Sequence, residues 1–169
     1  MPNISESMAL ALSIQANHEK QNELIYNTIE TYFNEQNLSG FAKLMESQKN
    51  GEKTHNELLQ TYICDRSGKV TFEPINYPKL DIDYLLGNPE ALIEVFKLVL
   101  ETEQITTSKL TELAKLSFTE SDFQTFSFLQ TLIVEQTEEE NYAGTLLQKA
   151  LMLSDCMPSI MLWNESLLK

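Results

Sequence analysis

The sequence predicts an all-α fold: a four-helix bundle with one long crossover between the second and third helices and a short C-terminal fifth helix. Three observations predict it. Glycine and proline number only five each in 169 residues, so long stretches are free of helix breakers. Between the breaks, apolar residues recur at 3-4 spacing, the period of a helix with one buried face. Finally, a single interval, 68–89, holds Gly68, Pro74, Pro78, Gly87 and Pro89, and reads as extended chain.

Turn signals set the elements in order. The segment NEQNLSG (34–40) separates a first helix, Ser7–Phe33, from a second, Phe41–Cys64. The third helix is expected over Pro89–Leu116, with Pro89 in its first turn and Asn88 as N-cap. SFTESD (117–122) supplies a short break with good capping residues before the fourth helix, Asp122–Leu153. SDCMP (154–158) then ends that helix before the short fifth one. Short first and last connections make neighbouring helices antiparallel. The middle connection differs. A helix of about 26 residues is about 40 Å long, and about 20 extended residues reach about 65 Å. The crossover can therefore run the length of the bundle and leave the second and third helices parallel.

Composition bounds the function. A chain of this length suits one domain over 1–169 with a sizeable core. A formal charge of −13 argues against nucleic acid, whose binding rests on Lys and Arg contacts to phosphate, and suits a protein that handles cations. Cys64 and Cys156 form no CxxC pattern and read as free thiols in a reducing cytosol. The first 20 residues lack a basic segment followed by an unbroken apolar one, and no run approaches the ~18 apolar residues of a membrane span. A cytoplasmic protein with no membrane or nucleic-acid partner is expected.

Each inward stripe is interrupted near its middle. The first helix gives Leu12, Ala16, Glu19 and Tyr26; the second gives Phe41, Met45, Gln48, Glu52, His55, Leu59 and Tyr62. The third gives Ile93, Phe96, Leu100, Glu103, Thr107, Leu110 and Ala114. The fourth gives Leu129, Leu132, Gln136, Glu139, Ala143, Leu146, Ala150 and Leu153. The ionisable residues sit at matching heights, about 20 Å from either helix end at helical rise. Four carboxylates, an imidazole and an amide then converge inside the bundle. An isolated ExxH such as Glu52-x-x-His55 is common on solvated faces, and Glu138-Glu139-Glu140 alone reads as one. The coincidence across four helices is what points to a metal site, because gathered carboxylates in a dry interior need protons or cations. Hard oxygen donors with one imidazole suit iron or manganese. His18 points about 100° away from Glu19 and reads as a surface residue.

At these residues the chain resembles the bacterial non-haem ferritins, along nearly its whole length. The stretches that carry the likeness are YFNEQNLSGFAKLMESQKNGEKTH (32–55), TEQITTSKLTELAK (102–115) and TFSFLQTLIVEQTEEE (125–140), with the spacing of Glu19, Glu52, His55, Glu103, Gln136 and Glu139. The resemblance implies a ferritin-like bundle, a homo-oligomeric shell of 24 subunits, and oxidation of Fe(II) by dioxygen with storage of a ferric mineral. It implies that Glu19 and His55 ligate a first iron, that Glu52 bridges two irons, and that Glu103 and Glu139 ligate the second, with Gln136 close by. Tyr26 matches the family tyrosine beside the site, an electron donor. Many members carry a third iron site. Glu135 and Glu138 fit its pattern, but Gly51 stands where those members have another Glu, so a weak or altered third site is expected.

Departures separate relatives. Haem-binding members carry Met directly after the bridging Glu and a second ExxH; here Lys53 and the pair Gln136 and Glu139 stand there, so no haem is expected. The acidic pair of animal iron-entry pores would fall at Phe126 and Leu129. Two rival readings differ in kind. A non-storage di-iron peroxidase would carry a second ExxH or a Cys-rich segment. A non-catalytic acidic bundle serving as an interaction module would pair its interior Glu residues with Lys or Arg.

Overall fold

A computed structural model describes residues 3–85 and 88–169. Its helices are α1 (Glu6–Glu35), α2 (Ser39–Asp65), α3 (Ala91–Thr119), α4 (Phe123–Leu153) and α5 (Met157–Ser166). The described residues contain no strand. Gly87, one of the expected turn signals, lies outside the described residues.

Local chemistry fixes the ends. Ser5 caps α1 by accepting the Met8 amide at 3.1 Å, and Asp122 caps α4 by accepting that of Thr125 at 3.1 Å. The C-termini of α1, α2 and α3 share one device. Asn37, Ser67 and Ser121 adopt φ near +58°, and the next amide in each case donates to the carbonyl five residues back. These pairs are Leu38 to Phe33, Gly68 to Ile63 and Asp122 to Ser117, each 2.9 Å. This is the Schellman turn, here made without glycine at the left-handed position. Gly40, expected in the break, is instead the second residue of α2. Pro89 likewise departs from expectation. The Ala91 amide donates to the Asn88 carbonyl at 3.1 Å, so Asn88–Glu90 form a tight turn and the helix begins at Ala91. Asn88 acts there through its backbone and Glu90 holds the cap position, with no side-chain capping bond.

The crossover runs the length of α1. Asn17 donates to the Thr71 carbonyl at 2.9 Å, Gln21 to that of Asn76 at 3.2 Å and Tyr32 to that of Asp83 at 2.7 Å. The Leu85 amide then donates to Gln36 Oε1 at 2.6 Å. Contacts advance along both segments together, so the crossover is parallel to α1 and antiparallel to α2. It returns the chain to the level where α2 began, and α3 therefore runs parallel to α2. Helices α1 and α2 form one antiparallel pair, α3 and α4 the other, and α3 also packs on α1.

The core is split. One apolar cluster holds Phe33, Phe41, Phe96 and Trp163, with ring centroids 5.1 Å apart for Phe33–Phe41 and 5.0 Å for Phe41–Trp163. The other holds Met8, Leu12, Leu59, Ile63, Leu110, Leu129 and Leu132. Glu19, Glu52, Glu103 and Gln136, all buried, occupy the inner faces between them. Helix α5 closes the first cluster by packing on α2 and α4.

Gly40 is where α5 touches α2. A Cβ there would lie 1.7 Å from the Asn164 carbonyl oxygen, a backbone atom that cannot step aside. Overpacking of this kind costs about 1–3 kcal/mol or more. Gly40→Ala is expected to lower unfolding free energy by about 3 kcal/mol, measured by denaturant titration, and to leave α1–α4 helical by circular dichroism.

Candidate metal centre

The face of α1 that carries Leu12 and Ala16 continues through Glu19, Asn22 and Tyr26, all buried. On α2 the apolar run Phe41–Met45 gives way to Glu52, buried, and His55, half-buried. α3 contributes Glu103, 1% exposed, and α4 contributes Gln136, 3% exposed, with Glu139 half-buried one turn on. Glu19, Glu52 and His55 each offer a ligand atom, and these atoms lie within 4.8 Å of one another. Glu103 faces the same space from α3, fixed by two donors. Tyr26 donates its phenol proton to Oε1, and Gln136 Nε2 donates to Oε2 at 2.7 Å.

The electrostatics are those of a cation site without compensating protein charge. Burial pushes the Glu52 carboxyl well above its usual range, and the nearby charge of Glu19 pushes it further. Burial also raises Glu103, opposed by the hydrogen bonds from Tyr26 and Gln136. Glu139 rises to about 7 through burial, with the Glu103, Glu19 and Glu135 charges adding and His55 opposing. Tyr26, fully buried beside Glu103 and Glu52, is held protonated far above the usual phenol range. Glu19 Oε2, Glu52 Oε2 and Glu139 Oε2 are buried oxygens with no hydrogen-bond partner. Such groups cost about 1–3 kcal/mol each, more when charged, unless something positive meets them. Among the described residues no lysine or arginine forms an ion pair with Glu19, Glu52, Glu103 or Glu139. The donor set, carboxylate oxygens with one imidazole, fits a hard or borderline cation such as iron or manganese.

The outer partners are residues the stripe pattern did not single out. Gln15 Nε2 donates to Glu19 Oε1 at 2.6 Å. Gln15 lies one turn before Glu19 on the same face, and that i, i+4 spacing is the signal that could have found it. His55 Nε2 stands 3.4 Å from Glu135 Oε2, so Glu135 faces the imidazole. His55, Glu135, Glu138, Glu139 and Tyr142 line an open groove of about 310 Å³ outside the buried layer. Gly51 lies near Glu139: a Cβ there would sit 3.9 Å from Glu139 Oε1, an ordinary contact, so the position has room for a side chain.

His18 departs from the surface reading. It is half-buried between α1 and α3, with Nε2 3.0 Å from Thr106 Oγ1, which also accepts from Asn22 Nδ2 at 3.0 Å. Burial lowers its pKa to about 4, and the Lys109 charge adds to the effect. The direction 100° from Glu19 faces α3 rather than solvent, because α3 packs on the flank of α1.

The raised carboxyls fix the sign of a pH effect. In the metal-free protein Glu139 keeps its proton to about 7, whereas its ordinary value is 4.5. The folded state then binds more protons than the unfolded chain across that window, so the slope of stability with pH is negative. This contribution is fully present below 4.5 and is lost as pH rises through about 7. Denaturant midpoints measured across the window are expected to fall more steeply for the metal-free wild type than for Glu139→Gln.

The ferritin-like domain of the ferritin family matches residues 9–152. The bacterial non-heme ferritin of Staphylococcus aureus (strain USA300) is 27% identical over 164 residues, covering 97% of this chain and 95% of that protein. The one from Staphylococcus epidermidis is also 27% identical over the same shares of the two chains. Among solved structures, an open-pore ferritin from the hyperthermophilic archaeon Archaeoglobus fulgidus superposes with a TM-score of 0.89 at 28% identity, over 99% of this chain and 98% of that one. An engineered closed form of it gives 0.90 at 28% identity, over 98% and 96%. The all-α bundle, its one long crossover and its short last helix are thus those of the ferritins, and the chain belongs to the ferritin-like family.

Proposed function

We propose that this chain is a ferroxidase and iron-storage subunit that takes Fe(II) and dioxygen as substrates. The observation that carries the reading is the set of buried, partnerless carboxylate oxygens on Glu19, Glu52 and Glu139, the first two gathered with His55, with no lysine or arginine among the described residues forming an ion pair with them. In the iron-free state the Glu52, Glu103 and Glu139 carboxyls are all held above their usual range, which favours their protonated forms. Fe(II) entering the layer displaces those protons, so affinity grows with pH. Anionic oxygen ligands stabilise Fe(III) over Fe(II) and so favour oxidation.

In this reading Glu19 and His55 hold a first iron, Glu52 bridges, and Glu103 and Glu139 hold a second, with Gln136 beside it. Gln15 aims Glu19, and Gln136 and Tyr26 aim Glu103 through the hydrogen bonds they donate. Tyr26 stands ready to supply a further electron to partly reduced oxygen. Glu135 and Glu138 beside the outer groove form the remnant of a third iron site, weakened because Gly51 brings no carboxylate. We further propose that the chain acts as one ferritin-like domain over 1–169, and that it assembles into a 24-subunit homo-oligomeric shell in the cytoplasm and deposits a ferric mineral there. No described helix is long and apolar enough to cross a membrane, which agrees with this setting. The interaction-module reading needs cationic partners for the interior Glu residues, and the described residues supply none.

Glu52→Ala is expected to slow the initial phase of Fe(II) oxidation by more than about 100-fold, beyond the about 10–100-fold that losing an outer partner costs. Stopped-flow absorbance would read it, and unchanged kinetics would refute the assignment. Gln15→Ala should slow the same phase by about 10-fold. Gel filtration separates the storage reading, which expects a species near 24 subunits, from a monomeric or dimeric oxidase.

A further inference from the structure

The residues gathered at the bundle centre fall into two sets, and each set belongs to one helical hairpin. Glu19, Glu52 and His55, whose ligand atoms lie within 4.8 Å of one another, come from α1 and α2. Glu103, Gln136 and Glu139 come from α3 and α4. Two of the aiming donors also stay within a hairpin. Gln15 donates to Glu19 at 2.6 Å, and Gln136 donates to Glu103 Oε2 at 2.7 Å and to its carbonyl at 3.1 Å. The centre is thus two half-sites, and its geometry depends on how one hairpin is set against the other.

The hairpins meet most closely where α1 packs on α3, while α2 and α4 approach each other less. At that seam Thr106, 1% exposed, is a common acceptor. Its own hydroxyl hydrogen points to the Thr102 carbonyl at 3.1 Å. Its oxygen accepts from Asn22 Nδ2 at 3.0 Å and stands 3.0 Å from His18 Nε2. With the Thr106 hydrogen so committed, the imidazole is the donor of that last bond, in its Nε2–H form. Thr106 lies three residues after Glu103 and Asn22 three after Glu19, about 4.5 Å along each helix. The seam therefore pins α1 to α3 within one turn of a carboxylate from each half-site. Tyr26 crosses the seam too, but its bond ends on the flexible Glu103 side chain, whereas that of Asn22 ends on a short hydroxyl close to the α3 backbone. Asn22 is fully buried, yet its Oδ1 has no hydrogen-bond partner. A buried amide satisfied on one side only is a poor choice for stability alone. What Asn22 supplies is a directed bond across the seam.

We propose that Asn22 and Thr106 are positioning residues that set the α3–α4 half-site against the α1–α2 one and so hold the second iron in place. The inference deepens the ferroxidase reading above and rests on it. In that reading the first iron takes Glu19, His55 and the bridging Glu52, ligands that one hairpin supplies by itself. The second iron takes Glu103 and Glu139 from the other hairpin and must share Glu52 across the gap. A shift at the seam leaves the first set intact and moves the second away from its bridge. Loss of the Thr106 hydroxyl is therefore felt by one iron, whereas a general loosening of the bundle would weaken both.

Anaerobic Fe(II) titration of the assembled protein, read by magnetic circular dichroism, tests the assignment without turnover. The wild type is expected to bind two irons per subunit. In Thr106→Val, which keeps the shape and removes the hydroxyl, the first iron is expected to bind as in the wild type. The second should bind about 10-fold more weakly, the scale of losing an outer partner. Thr106→Ser should restore it. Asn22→Leu combined with Thr106→Val makes the pair apolar, and should show the same selective loss whether or not the single valine variant folds. Wild-type binding of both irons in the valine-containing variants, equal weakening of both, or failure of serine to restore the second would each overturn the role of the seam. A wild type that binds fewer than two irons would instead overturn the ferroxidase reading, and the seam's role with it.

Discussion

Like charge buried at one depth is the constraint on which the rest of the structure depends. Glu19, Glu52 and Glu103 are each under 5% exposed, come from three different helices, and have no lysine or arginine among their described ion-pair partners. Water cannot solvate them there, and their mutual repulsion adds to the cost of desolvation. What the protein does provide is directional: Gln15 on Glu19, and Tyr26 with Gln136 on Glu103. These donors hold oxygens in place without neutralising them. In the proposed function, metal entering such a layer would displace the protons that its raised carboxyls hold, so occupancy and protonation would be two states of one balance.

The topology makes that layer achievable. Four carboxylates can meet at one depth only if the helices carrying them are in register, and register comes from the connections. Two short Schellman-turn links set α1 against α2 and α3 against α4. The long link is held along α1 by successive side-chain hydrogen bonds from Asn17 to Gln36, which fixes where α3 begins. Apolar interlocking above and below then locks the heights. Phe41 against Trp163 does this at one end, and Leu59 with Leu129 belongs to the cluster that does it at the other.

Much of this was legible in the sequence because it follows from periodicity. A polar residue interrupting a 3-4 stripe is visible in one dimension, and Glu19, Glu52, Glu103 and Gln136 all interrupt stripes and are all buried. What stayed hidden follows from how helices pack around one another. α3 turns two faces inward, so Val95, Val99, Thr102 and Thr106 are buried beyond the stripe through Phe96 and Glu103. The same packing half-buries His18, which a single-stripe reading of α1 leaves in solvent. The start of α3 was hidden for a different reason. Proline suits a first helical turn and a preceding tight turn equally well, and only the Ala91 to Asn88 bond distinguishes them.

The divided core has a mechanical consequence. Two dry, interlocked ends flank a polar waist in which several oxygens lack partners, so the waist is where the bundle separates most easily. An ion bridging the helices would act as a clamp across this weak section. Binding such an ion would stiffen the bundle at its middle.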